Sequence, residues 1–170
     1  MKFKALVSNP KYLYDENCVE REISFPASDE ELKNTLEELG IDKNVIFVSG
    51  LKLPVENLGD LFYGLFNLDH INAITSKLSE FTNEQFDILS AIDELEGIRY
   101  LDEFEDIIDH IDDYEILPDI RSDEELAEYF IEEISAEDLR AYVNCRQLGH
   151  DIRATLDAGH TKLGCLVNNR

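Results

Sequence analysis

Apolar positions along the chain fall into short blocks whose spacing shifts between two residues and three or four. Lys2–Val7 and Cys18–Phe25 contain alternating or β-rich runs, split by the turn-prone "SNPKYLYDEN", and read as strands. The next block, "ASDEELKNTLEELG", reads as a helix. Ser28 and Glu31 have capping-box spacing, Leu32, Leu36 and Leu39 form an apolar stripe, and Gly40 sits at the exit. "NVIFVSG" (44–50) supplies a third strand. Together these predict a β-β-α-β unit in which a helix crosses a small antiparallel sheet.

From Pro54 to about Gly59 the chain reads as a connection, and "LFYGLF" (61–66) fits either a short helix or a buried loop. Residues 68–80 follow a helical period through Leu68, Ile71, Ile74 and Leu78. "TNEQFDILSAIDELEG" adds a helix with Thr82 and Gln85 as its box, a stripe of Phe86, Leu89, Ile92 and Leu95, and Gly97 as its stop.

In "LDEFEDIIDHIDDYE" (101–115) the apolar residues Leu101, Phe104, Ile107, Ile108, Ile111 and Tyr114 recur every three or four positions. That period predicts an amphipathic helix ended by Pro118. "RSDEELAEYFIEEIS" follows as another helix, boxed by Ser122 and Glu125, with Leu126, Ala127, Phe130, Ile131 and Ile134 facing inward. Ser135 is expected to cap a further helix carrying Leu139, Tyr142, Val143 and Leu148 and stopping at Gly149. "DIRATLDAGHTKLGCLV" reads as a hairpin turning at "DAGHT".

The expected fold class is therefore α+β, in three small domains. These are an N-terminal antiparallel sheet with a helix (1–57), a central helical bundle (58–100), and a C-terminal α+β domain with acidic helices and a β-hairpin (101–170).

Charge changes this picture. The 170 residues carry a formal net charge of −23. Residues 1–79 hold 13 acids and 8 bases, residues 80–138 hold 23 acids and 2 bases (Arg99 and Arg121), and residues 139–170 hold 2 acids and 5 bases. Seven of the eight Lys lie in the first 77 residues, so this is a placed charge rather than a halophile's evenly spread one. Such a chain is not expected to bind nucleic acid directly, because phosphate contacts need Lys and Arg, nor to dock on anionic lipid. No signal-peptide core or stretch of transmembrane length is legible, and Cys18, Cys145 and Cys165 have no paired spacing; a reduced, cytoplasmic protein is expected.

Eight of residues 101–115 are acids: Asp102, Glu103, Glu105, Asp106, Asp109, Asp112, Asp113 and Glu115. Asp119, Asp123, Glu124, Glu125, Glu128, Glu132 and Glu133 continue the series. Like charges three or four apart cost a helix about 0.2–0.5 kcal/mol per pair, and solvated acidic faces normally interleave Lys and Arg to relieve this. Carboxylates at that spacing project from Cβ atoms about 5–6 Å apart. B-DNA carries roughly one charge per 1.7 Å of axis, so rows of acids on packed helices can present a lattice of surrogate phosphates. Such a surface would compete for the basic groove of a nucleic-acid enzyme.

Other chemistry is weakly signalled. His110, read one turn after Asp106 and one before Asp113, lacks the matching ligands that a metal-binding bundle supplies from several helices. Cys145 with His150 or His160 has no evident orienting carboxylate. No phosphate loop, nucleophile elbow or paired-Cys motif occurs. No catalytic residue, metal or cofactor is expected. Arg140, Arg146 and Arg153 are ordinary surface cations or partners for acids of the same or a second subunit.

The chain resembles the ArdA-type antirestriction proteins, DNA mimics that mobile genetic elements use against type I restriction–modification enzymes. The resemblance runs through "KALVSNPKYLYDE…REISFP", "NLDHINAITSKLSEF", "EDIIDHIDD…ELAEYFIEE" and "LRAYVNCRQLGHDI". It implies an elongated protein of three small domains that dimerises through its C-terminal part. It also implies a block of the DNA-binding groove of the specificity and methyltransferase core, and no catalysis. The C-terminal positions it suggests for a homodimer contact are Arg140, Tyr142, Arg146, Leu148 and His150. Two departures stand out: the family's Tyr-Gly-Arg-Asp-like motif is here Leu148-Gly149-His150-Asp151, and "SGLKLP" replaces a segment usually acidic. The alternative reading is an acidic module that sequesters a basic DNA-binding regulator or histone-like protein.

Overall fold

The computed structural model describes residues 1–15, 18–133 and 144–169. The protein is α+β, with helices and two antiparallel sheets. The chain forms two compact units, Met1–Phe86 with Arg99–Ile108, and Asp87–Ile98 with Asp109–Arg170.

The first unit is built on a four-stranded sheet of β1 (Phe3–Ser8), β2 (Glu20–Phe25), β3 (Val45–Lys52) and β4 (Tyr63–Asn67), in the order β2-β1-β3-β4. Helix α1 (Asp29–Glu38) starts at the expected box. The Glu31 N–H donates to Ser28 Oγ at 3.3 Å and the Ser28 N–H returns to Glu31 Oε2 at 2.8 Å. Phe3, Ala5, Val7, Ile23, Phe25, Ile46 and Val48 are buried. So are Leu68, Ile71, Ile74 and Leu78 on helix α2 (Leu68–Glu80), each worth about 1.5–3 kcal/mol of burial. Polar clamps fix the connections. Asn72 exchanges hydrogen bonds with the backbone of Ala27 (2.7 and 3.1 Å), and Asn9 Nδ2 donates to the carbonyls of Leu39 and Gly40.

"LFYGLF" turns out to be neither a short helix nor a loop alone: a 3-10 turn (Leu58–Phe62) leads into β4. Its aromatic residues favour that outcome: Tyr63 packs edge-on against Phe47 at 5.2 Å, and Phe47 and Leu65 meet directly across the β3–β4 pair. The sheet therefore runs past residue 57, the expected domain boundary. Helix α3 (Asn83–Glu96) opens on the predicted Thr82–Gln85 box, with both hydrogen bonds present (2.9 and 3.2 Å).

Helix α4 spans only Leu101–Asp109, and the chain then makes a 3-10 turn (Ile111–Asp113) into strand β5 (Tyr114–Leu117). The single amphipathic helix expected to run up to Pro118 is thus corrected. Its C-terminal half would have stacked carboxylates at i,i+3 and i,i+4 beside the negative end of the helix dipole. A sheet partner is available instead.

That partner is β7 (Cys165–Asn168), which pairs with β5 through Ile116↔Leu166 and with β6 (Gly159–His160) on its other side. Helices α5 (Asp123–Glu133) and α6 (Cys145–Thr155) complete the second unit. Its core gathers Leu117, Ile120, Leu126, Cys165 and Val167, with Phe130, Ile152 and Leu156 packed against it.

Two further expectations fail here. Gly149 does not end a helix: α6 starts at Cys145, capped by the Asn144 side chain, and runs through it to Thr155. The hairpin consequently turns at 161–164 rather than at "DAGHT", where Thr161 Oγ1 donates to the Gly164 carbonyl at 2.9 Å. The expected cap at Ser135, and Leu139, Tyr142 and Val143, lie outside the described residues.

Candidate acidic surface

The amphipathic division read from the sequence holds within each element. On α4, Phe104, Ile107 and Ile108 are buried while Asp102, Glu103, Asp106 and Asp109 are exposed. In the second unit, Ile111, Leu117, Ile120, Leu126, Ala127 and Ile131 are buried. There Asp112, Glu115, Asp119, Glu124, Glu125 and Glu128 are exposed. Glu105, Asp113 and Asp123 are half-buried. The side chains of Glu132 and Glu133, at the end of α5, lie outside the described residues.

The acids are not equivalent. Glu103 closes the N-terminus of α4, its carboxylate accepting from the backbone N–H groups of Arg99 and Tyr100 at 3.3 Å. Glu125 does the same for α5, accepting from the Arg121 N–H at 2.6 Å while its own N–H donates to Ser122 Oγ. Each satisfies amides that a helix start leaves open. Glu105 pairs with His70 Nε2 at 3.0 Å.

Asp123 stands apart. Its Oδ1 accepts from His160 Nε2 at 2.9 Å and from Arg153 Nε at 3.1 Å. The hydrogen bond from His160, with the charge of Arg153, holds the Asp123 carboxyl below the usual carboxylate range despite partial burial. This carboxylate is an internal tie between α5, α6 and β6, and much of its charge is answered locally. Sequence reasoning placed it among the outward acids. The signal that could have moved it was the pair of bases, Arg153 and His160, in an otherwise acidic chain.

The C-terminal positions divide likewise. Arg146 Nε lies 3.8 Å from Glu124 Oε1 of the same chain, and Arg153 is tied to Asp123. His150 is exposed beside Asp151, Leu148 is half-buried, and Arg140 and Tyr142 lie outside the described residues. His110 lies just past α4 and caps the 3-10 turn, so it stands one 3-10 turn, not one α-helical turn, before Asp113, whose N–H donates to the His110 carbonyl at 2.9 Å. Cys145 is half-buried at the first turn of α6. Among the described residues no three His, Cys, Asp or Glu side chains are grouped to hold a metal, and no helix is long and apolar enough to cross a membrane.

Chemically, the surface offers densely spaced carboxylates on short, firmly packed elements. No protein-family model matches the chain, and no curated protein matches it significantly.

Proposed function

We propose that this protein is a non-enzymatic, cytoplasmic antirestriction inhibitor. Its exposed acids stand in for the phosphates of B-form DNA in the groove of type I restriction–modification enzymes, and it acts as a homodimer. The carrying observation is the division along 101–131. Buried apolar residues recur among the exposed acids through the whole stretch, and no Lys or Arg intervenes between Arg99 and Arg121. A solvated face of ordinary composition would interleave cations, and a disordered acidic tail would keep no buried stripe. The acids that remain outward, chiefly Asp102, Asp106, Asp109, Asp112, Glu115, Asp119, Glu124 and Glu128, are the surrogate phosphates. Glu103 and Glu125 cap helices as well as carrying charge. Asp123 contributes structure.

Binding of this kind draws on counterion release from the enzyme's basic groove and on long-range steering, neither of which needs sequence information. It blocks restriction, and modification to the extent that both use the same groove. The test is competition: labelled duplex held by a type I methyltransferase core, with the protein titrated in at several salt concentrations. Stoichiometric displacement that weakens as salt rises supports mimicry. No displacement at low salt by the folded protein overturns it.

A further inference from the structure

The β1–β3 pair places Lys4 directly opposite Lys52 on the exposed face of the four-stranded sheet. Like charges set across a strand pair destabilise it. Lys4 is answered by Glu22 of β2, whose Oε1 lies 2.6 Å from its Nζ. Lys52 forms no ion pair among the described residues. Its charge still reaches Glu22: the Lys4 hydrogen bond and charge hold that carboxyl below its usual range, and Lys52 adds a weaker pull. Beside the two lysines the sheet is irregular. The register shifts between Ala5 and Val7, so Leu6 alone faces Ser49 and Gly50, and Gly50 takes up φ 121. A cavity of about 260 Å³ lies here, with Lys4, Lys52, Glu22, Asp60, Leu6 and the bare backbone of Gly50 among its walls. The walls thus carry two ammonium groups, two carboxylates and an apolar side chain, Leu6, that is 44% exposed.

We infer that this cavity binds a free α-amino acid. The ligand's carboxylate lies between Lys52 and Lys4, relieving their repulsion, and its ammonium group donates to Asp60. Leu6 meets a small apolar side chain. Charge selects a zwitterion over a plain anion, at short range and at long range. Glu22 and Asp60 repel a doubly charged oxyanion such as phosphate, and the chain's net charge of −23 repels any anion from afar. A ligand of net charge zero escapes the long-range field and finds a counter-charge for each of its ends. The inference does not depend on the mimicry reading.

The test is titration of the full chain with L-alanine, L-leucine, acetate and inorganic phosphate at matched ionic strength, followed by amide NMR shifts. At least one of the two amino acids should shift the Leu6, Gly50 and Lys52 amides saturably, and bind about tenfold more tightly than acetate or phosphate. Lys52→Gln and Asp60→Asn should each raise its dissociation constant about tenfold or more, since each removes one charge-assisted contact. Both side chains are exposed, so neither change disturbs the fold, which circular dichroism checks. No saturable shift with either amino acid, acetate or phosphate binding as tightly, or binding indifferent to either substitution overturns the inference.

Discussion

Gly149 in the middle of α6 lies so close to α5 that a Cβ added to it would stand 1.6 Å from the Asp123 carbonyl oxygen. No side-chain rotation relieves that approach, since the obstructing atoms are backbone. Gly149→Ala should force the two helices apart and cost about 3 kcal/mol or more. Urea unfolding followed by far-UV circular dichroism would measure this; a loss below about 1 kcal/mol would mean that the helices do not approach so closely.

The same junction should show in acid. The Asp123 carboxyl is held down by His160 and Arg153, so its folded value lies below its unfolded one, near 3.9. Its stabilisation is present in full above the unfolded value and is lost as pH falls through the folded one. Asp123→Asn should therefore cost about 1–3 kcal/mol at neutral pH, and the gap to wild type should shrink below about pH 4. Unfolding curves at neutral and acid pH would check both sign and window.

Inhibition should depend on charge collectively. Replacing Asp102, Asp106, Asp109, Asp112, Glu115, Asp119, Glu124 and Glu128 together by Asn or Gln should weaken competition with DNA on the order of a thousandfold and flatten its salt dependence. Any one of these changes alone should do little. The neutralised variant should melt no lower than wild type, because like-charge repulsion is relieved. One single substitution that abolished inhibition would point to a discrete site.

Thiol reactivity should separate the cysteines. Cys165 is buried between β5 and β6, and burial pushes its thiol upward. It should resist a disulfide reagent until the protein unfolds, while Cys18 and Cys145, both half-buried, react earlier. Mass spectrometry after timed labelling would give the order.

What was legible in the sequence is what local chemistry decides. The boxes at Ser28–Glu31 and Thr82–Gln85 form as their spacing predicts, since each needs only three residues and two hydrogen bonds. The apolar stripe from Phe104 to Ile111 is buried as its period requires. The end of α4 was not legible, because Tyr114–Leu117 satisfies a helical period and a strand alternation alike, and a partner distant in sequence chooses between them. Gly149 misled for a similar reason. A glycine that stops a helix and one that admits a neighbouring helix look the same until the neighbour is seen. Asp123, one acid among many in sequence, is distinguished only by the bases that the fold brings to it.

The pairing of β5 with β7 has a consequence for how the protein comes into being. The acids around Glu115 gain their sheet support only when Cys165–Asn168 has been made and has left the ribosome. Until then a growing chain carries its densest negative charge on an unfinished element, unable to collapse against its own core. The second unit stays incomplete until Cys165–Asn168 pairs with Tyr114–Leu117, so a translation product cut short before Cys165 should be degraded rather than accumulate.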